Sequence, residues 1–396
     1  MTVPTAAATS SALLNLYKRA PIEFVRGAGC ELFDADGRAY LDFTAGIAVM
    51  ALGHGDAGVA KAIREAVDTG LIHVSNLFRT APGERLAQRL VDLSFADRVF
   101  FCNSGAEANE AAFKFARKWA RTQGGPAKHE IIALRGAFHG RLFATLAATD
   151  RPQYRAPFRP LAGGIGIAER DLDELRAVLD GERVAALIVE PVQGEGGMRV
   201  LETSFLREVR VLTRERGIAL ILDEIQCGLG RTGTLFAYQQ SGITPDVLTL
   251  AKPLAGGLPM GATLLTDEIA AVMQPGDHGT TFGGGPLLAH VGLHVLNRLS
   301  APDLLAHVRD AGQRLGAALR GVADRSGRIR AVRGVGLMWG VDVMPAAADV
   351  ITAARDRGLL LVASGEHTVR FLPPLVVGDD DLSRGVAIFE AALGAV

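Results

Sequence analysis

Cysteine is scarce in this chain: three in 396 residues, Cys30, Cys102 and Cys227, with no metal-ligand spacing among them. An odd, scattered set excludes a disulfide framework and a thiolate metal site, so no metal is expected. Each lies in or beside an apolar run, which reads as a buried reduced thiol in a reducing compartment. Charge of one sign is missing too. Lys and Arg number 42 against 43 Asp and Glu, giving a net charge of −1. Without a basic stripe, nucleic acid and anionic membrane are poor partners. Long apolar runs are absent: Leu359–Val362 and Ile218–Leu222 are strand-sized, and charges interrupt anything longer. There is no internal repeat and no low-complexity linker. The opening MTVPTAAATSSALLNLYKRA lacks acidic residues, but only Lys18 and Arg19 are basic. It reads as an arm leading into a first helix rather than as a transit peptide, and the expected location is cytoplasmic.

What is present is a repeating theme. Asp34–Gly37 separates two strand-like runs, Cys30–Phe33 and Ala39–Phe43, and predicts a hairpin. Helical patterns follow in VAKAIREAV and PGERLAQRLVDL. Short apolar runs then alternate with polar turns and amphipathic stretches. Arg98–Cys102 leads through Asn103–Gly105 into AEANEAAFKFARKWA; Glu130–Leu134, Val184–Val189, Ile218–Leu222 and Asp246–Ala251 are the others. Alternation of this kind predicts an α/β protein whose central sheet is mostly parallel and covered on both faces. From about residue 300 the pattern changes to DLLAHVRDAGQRLGAAL, then GLMWGVDVM, LLLVAS and VRFLPPL, and a closing helix, DDLSRGVAIFEAALGA. A smaller α+β domain is expected there. The predicted division is 1–60 as an N-terminal segment of the small domain, 61–290 as the large domain and 291–396 as the C-terminal small domain.

Two motifs suggest a nucleotide-binding module and are set aside. Gly228–Gly233 reads GLGRTG, but DEIQC separates it from the preceding strand and no long helix follows. IALILDE resembles a Walker B strand, yet G-x-x-x-x-G-K-[ST] is absent from the chain.

Three polar features fall at predicted strand ends, where α/β proteins bind ligands. Lys252 alone reads as a solvated strand end. The Gly/Pro-rich loop Pro253–Gly261 behind it lets backbone and ligand approach, and a desolvated amine there attacks carbonyls. Asp223 ends a buried run and calls for a cationic partner, such as a pyridinium nitrogen; the alternative is a carboxylate capping its own turn. Ser104, Gly105 and Ala106 open a helix, an anion site suited to a phosphate, although Asn-Ser-Gly also makes ordinary caps.

The segments NSGAEANEAA (103–112), AFHGR (137–141), EPVQGEGG (190–197), LILDEIQCGLGRTG (220–233), LAKPLAGGLPMGA (250–262) and TTFGGGP (280–286) resemble the class III, fold-type I aminotransferases. These depend on pyridoxal 5'-phosphate (PLP), and the acetylornithine aminotransferase subgroup is the most similar. The likeness spans nearly the whole chain, in family order. It implies a large PLP-binding domain with a mostly parallel sheet plus a smaller α+β domain. It assigns Lys252 as the lysine that holds PLP as a Schiff base and shuttles the proton, and Asp223 as the partner of the ring nitrogen. Gln226 falls near the phenolic oxygen, Phe138 on the ring face, and Ser104, Gly105 and Ala106 at the phosphate. Relatives often have Thr where this chain has Ala106, so only a backbone donor remains there. Thr281 matches a phosphate ligand from a neighbouring subunit and Thr280 a substrate contact, which implies a homodimer with shared active sites. Arg370 matches the arginine that grips glutamate or 2-oxoglutarate, Glu195 a gating carboxylate, and Arg141 the holder of the donor's α-carboxylate. The implied reaction carries the terminal amine of N-acetylornithine to 2-oxoglutarate, giving a semialdehyde and glutamate. Succinylornithine, ornithine, 4-aminobutyrate and an acylated lysine remain alternative donors. Met50, Phe78-Arg79 and Gly285 depart from the common pattern and bear on the donor's acyl group and length.

Overall fold

Runs of β-branched and aliphatic residues such as ALILD and VAALIV have no polar face, so they must be covered on both sides. In the computed structural model, which describes residues 12–396, they form the middle of a seven-stranded sheet. Val184–Val189, Ala219–Asp223 and Val247–Leu250 are fully buried side by side. Across the sheet the order is Arg98–Cys102, Gly261–Leu265, Val247–Leu250, Ala219–Asp223, Val184–Val189, Glu130–Leu134, Ile165–Ala168. All pairings are parallel except the two made by Gly261–Leu265, which runs antiparallel between its neighbours. The long helix Gly105–Gly124 covers one face through its Ala and Phe positions.

Two smaller sheets complete the architecture. The expected hairpin forms between Glu31–Asp34 and Ala39–Asp42, its turn closed by Asp34 Oδ1, which accepts from the amides of Asp36 and Arg38. Phe24–Ala28 adds a third strand, and Leu359–Leu360 pairs in parallel with Ala39–Asp42 from the far end of the sequence. The other sheet has the order Ile329–Val335, Met338–Val343, Thr368–Phe371, Val362–Ser364, packed beside the helices Pro302–Ser326 and Asp379–Leu393. The expectation of an N-terminal arm entering a helix is corrected. The described part of the arm reaches the strand Phe24–Ala28 first, because VRGAGCELF alternates and pairs instead of carrying a helical period; residues 1–11 lie outside the described residues. GLGRTG forms turns, followed only by the one-turn 3₁₀ helix Ala237–Gln240. All three cysteines are buried and unpaired. Among the described residues no helix is long and apolar enough to cross a membrane.

Parallel strands deliver their carboxyl ends to one edge of the sheet. Asp223 ends its strand, Asn103, Glu190 and Lys252 each follow one within two residues, and all four gather on that edge.

Candidate active site

A cavity of about 790 Å³ opens at this edge. Its walls include ten of the residues singled out in the sequence: Ser104, Gly105, Ala106, Phe138, Arg141, Glu195, Asp223, Gln226, Lys252 and Arg370. Thr280 and Thr281 are not brought into it. Thr280 instead accepts from Asn103 Nδ2 at 3.1 Å through its hydroxyl, and Thr281 is exposed.

Lys252 begins a short 3₁₀ turn just past Val247–Leu250. Burial lowers its ammonium below the ordinary lysine range, while the charge of Asp223 works in the opposite direction. Asp223 is 4% exposed and richly held. Its Oδ2 accepts from Asn109 Nδ2 at 2.8 Å and lies 2.7 Å from His139 Nδ1, and its Oδ1 accepts from the Ile225 amide at 3.1 Å. Asn109 is fixed in turn, since its Nδ2 also donates to His139 O and its Oδ1 accepts from Thr249. The carboxylate is therefore both a turn cap, one of the two sequence alternatives, and the centre of a buried network.

Sequence reasoning missed His139, Asn109 and Glu190. Glu190 accepts from the amides of Phe138 and Gly194, stapling the AFHGR loop to the loop that carries Glu195. Burial pushes its carboxyl up to about 7; His139 opposes that rise and Asp223 adds to it. A polar residue directly after a fully apolar strand was the available signal. Also unforeseen is the backbone at Ala45, Gly46, Ile47 and Ala48, all at positive φ, with Gly46 and Ile47 on the cavity wall. A β-branched residue in that region is a strained conformation of the kind that collects at ligand sites.

The N-terminus of Gly105–Gly124 forms another wall. Ser104 Oγ accepts from the Glu107 amide, while the amides of Gly105 and Ala106, in the first helical turn, have no acceptor four residues back. A Cβ at Gly105 would stand 2.8 Å from Ile225, so only glycine lets this helix start so near the Asp223 turn. On the opposite wall Arg370, 2% exposed, places Nη1 2.6 Å from Glu195 Oε1. The contact lies off the N–H direction, so Nη1 and Nε keep their hydrogen-bonding capacity. Arg141 sits exposed at the rim, its guanidinium 3.9 Å from the centre of the Tyr154 ring.

Compared with known proteins, residues 15–393 match the family model described as Aminotransferase class-III. The chain belongs to the class-III aminotransferases. The acetylornithine aminotransferase of Xylella fastidiosa (strain Temecula1) is 44% identical over 389 residues, spanning 96% of this chain and 94% of its own. Acetylornithine aminotransferase 1 of Bradyrhizobium diazoefficiens is also 44% identical, over 97% and 95%. Among solved structures, the N-acetylornithine aminotransferase of Stenotrophomonas maltophilia K279a superposes with a TM-score of 0.84 at 38% identity, covering 96% and 97%. The ornithine aminotransferase of Toxoplasma gondii ME49 reaches a TM-score of 0.93 at 30% identity, covering 97% and 93%. The fold-type I expectation holds for this aminotransferase, and its family depends in general on PLP.

The side chains present fit that cofactor. Gln226 Oε1 is buried at the cavity without a partner. A Cβ at Gly194 would come within 2.0 Å of that atom, so the glycine keeps the place of the amide open. A phosphate needs the free amides, a carbonyl carbon needs the amine, and a ring needs Phe138 and a carboxylate; all border one space.

Proposed function

We propose that this aminotransferase uses PLP to move the terminal amine of N-acetylornithine, or of a close acyl analogue, to 2-oxoglutarate, giving the semialdehyde and glutamate. The observation that carries this reading is the pairing of a buried arginine, Arg370, with a carboxylate, Glu195, in the same cavity as Lys252, while a second arginine at the rim, stacked on Tyr154, has no carboxylate partner among the described residues. Two arginines of different standing suit two successive substrates, one with a single carboxylate and one with two.

Lys252 would hold the cofactor, Asp223 its ring nitrogen, Gln226 its phenolic oxygen, Phe138 one ring face, and Ser104, Gly105 and Ala106 its phosphate. When bound, the group supplies an electron sink for the carbon that bears the amine. The chain's residues do the remaining work. Lys252, its ammonium destabilised by burial, would take a proton from the amine-bearing carbon. Asp223, held in one orientation by His139 and Asn109, would answer the positive charge of the ring nitrogen. Arg141 holds the donor's α-carboxylate at the rim, which directs the terminal amine, the one nitrogen the acyl group leaves free, toward Lys252. Glu195 neutralises Arg370 while the donor is bound. It then yields to the second carboxylate of 2-oxoglutarate, which the guanidinium fork takes in a bidentate grip.

The exposed Leu77, Phe78, Phe143 and Phe282 form apolar surface that a second copy of the chain would cover, and Thr281 beside Phe282 would then serve the neighbour's phosphate. The parallel pairing of Ala39–Asp42 with Leu359–Leu360 supports joining 1–60 and 291–396 as one small domain beside the large domain 61–290.

A half-reaction panel tests the reading. The purified protein is expected to be yellow, with borohydride fixing the chromophore on Lys252. N-Acetylornithine should bleach it, and 2-oxoglutarate should restore it. A protein bleached by 4-aminobutyrate but not by N-acetylornithine would overturn the donor assignment.

A further inference from the structure

Glu195 rides on a hairpin between Val192–Gln193 and Arg199–Val200, and Arg370 sits on Thr368–Phe371 of the small antiparallel sheet. The register of that sheet places Arg333, Gly340, Arg370 and Val362 on one rung, and Ala331, Asp342, Thr368 and Ser364 on the rung two residues away. Residues two apart share a face, so Ser364 and Arg370 present their side chains to the same hairpin. Ser364 is buried, and its hydroxyl is used in both senses. It donates toward the carbonyls of Glu195, at 2.6 Å, and Gly194, at 3.0 Å, and accepts from the Gly197 amide at 2.8 Å. Arg333, itself forked onto Asp342, donates to the Gly197 carbonyl at 2.5 Å. Gly340 leaves room between them for Met198, whose Cβ a side chain at 340 would meet at 2.6 Å. The backbone under Glu195 is thus anchored to the sheet that carries Arg370.

We propose that Ser364 is a positioning residue for the Glu195–Arg370 pair. It fixes the backbone of Glu195, so the carboxylate leaves Arg370 by rotation of its own side chain and returns to one place. The proposal rests on the reading of this pair as the device that sorts two substrates. Without the hydroxyl, the Gly197 amide loses its buried acceptor, the Glu195 carbonyl is left to Arg151 Nη2, and the turn loosens. Glu195 then covers Arg370 less well. The donor meets a bare cation that can draw its carboxylate into an unproductive pose, whereas 2-oxoglutarate needs Arg370 uncovered in any case.

The test uses the holoenzyme in single-turnover half-reactions, with the amine that bleaches it and with 2-oxoglutarate. Ser364→Ala should lower kcat/KM for the amine half about tenfold, the scale of one buried hydrogen bond, and leave the oxo-acid half within about twofold. Ser364→Thr, which keeps the hydroxyl, should restore the balance. In both apo- and holoenzyme, amide exchange over residues 192–200 should rise about tenfold in Ser364→Ala. Should that variant fold poorly, Arg333→Lys loosens the same turn from its other side and should unbalance the halves in the same direction. Equal losses in both halves, or none, would overturn the proposal. Glu195→Gln keeps the two failures apart. If it unbalances the halves and Ser364→Ala does not, the role of Ser364 alone falls. If Glu195→Gln leaves the halves balanced, the sorting reading falls and takes the proposal with it.

Discussion

Asp223 and Arg370 are both nearly sealed from solvent, at 4% and 2% exposed, yet their surroundings differ in kind. Asp223 has His139, Asn109 and the Ile225 amide around it. Arg370 has one off-axis carboxylate and leaves Nε and Nη1 without a hydrogen-bond partner. The floor of the cavity, built from strand ends of the large sheet, satisfies both oxygens of the Asp223 carboxylate within the protein. The far wall, built from the small sheet, keeps hydrogen-bonding capacity open. A floor of the first kind suits a group that stays, and a wall of the second kind suits ligands that come and go.

The largest effect expected is on the floor. Lys252→Ala should cut transamination on the order of 10⁴-fold in both half-reactions, and borohydride should no longer fix the chromophore to the chain. A variant that keeps most of its rate would break the comparison at its base. On the wall, loss should depend on the substrate. Arg370→Ala should raise the KM for 2-oxoglutarate on the order of 100-fold and alter the amine half much less. Arg141→Ala should raise the KM for the amine about tenfold and that for the oxo acid less, because Arg370 still holds the latter; the effect is smaller than that of Arg370→Ala because Arg141 lies in solvent. Steady-state kinetics with each substrate varied in turn measures both, and equal effects on the two substrates would erase the distinction.

A subtler expectation concerns the apoprotein. Burial raises Glu190 from 4.5 to about 7 and Glu224 from 4.5 to about 8. Between those limits the folded chain holds protons that the unfolded chain has released. Stability therefore falls as pH rises through this window, by up to about 1.4 kcal/mol per pH unit for each proton. Denaturant midpoints at about pH 5.5 and about pH 8 should show the fall, and Glu224→Gln should flatten it.

The sequence disclosed the floor better than the network beneath it. Lys252, Asp223 and Ser104 follow apolar runs, so hydrophobic patterning placed them at strand ends. His139 and Asn109 are 84 and 114 positions from Asp223, and nothing local marks that they meet. Gly261–Leu265 was hidden because the Gly/Pro loop before it reads as turn up to Met260. Ile329–Val335 was hidden because arginines interrupt its alternation. The homodimeric role assigned to Thr281 concerns a second chain, and the geometry of one chain shows only that the residue lies exposed and away from its own cavity.

The antiparallel strand Gly261–Leu265 bears on how the molecule is born. Arg98–Cys102, which leads into the helix Gly105–Gly124, pairs with no other strand in the sheet among the described residues. On the ribosome it must wait, an open edge, while more than 150 further residues are made. A chain truncated before residue 261 would carry Asp223 and Lys252 but leave that edge bare. Nascent-chain release just before and just after this strand should mark the passage from an aggregation-prone fragment to a soluble one.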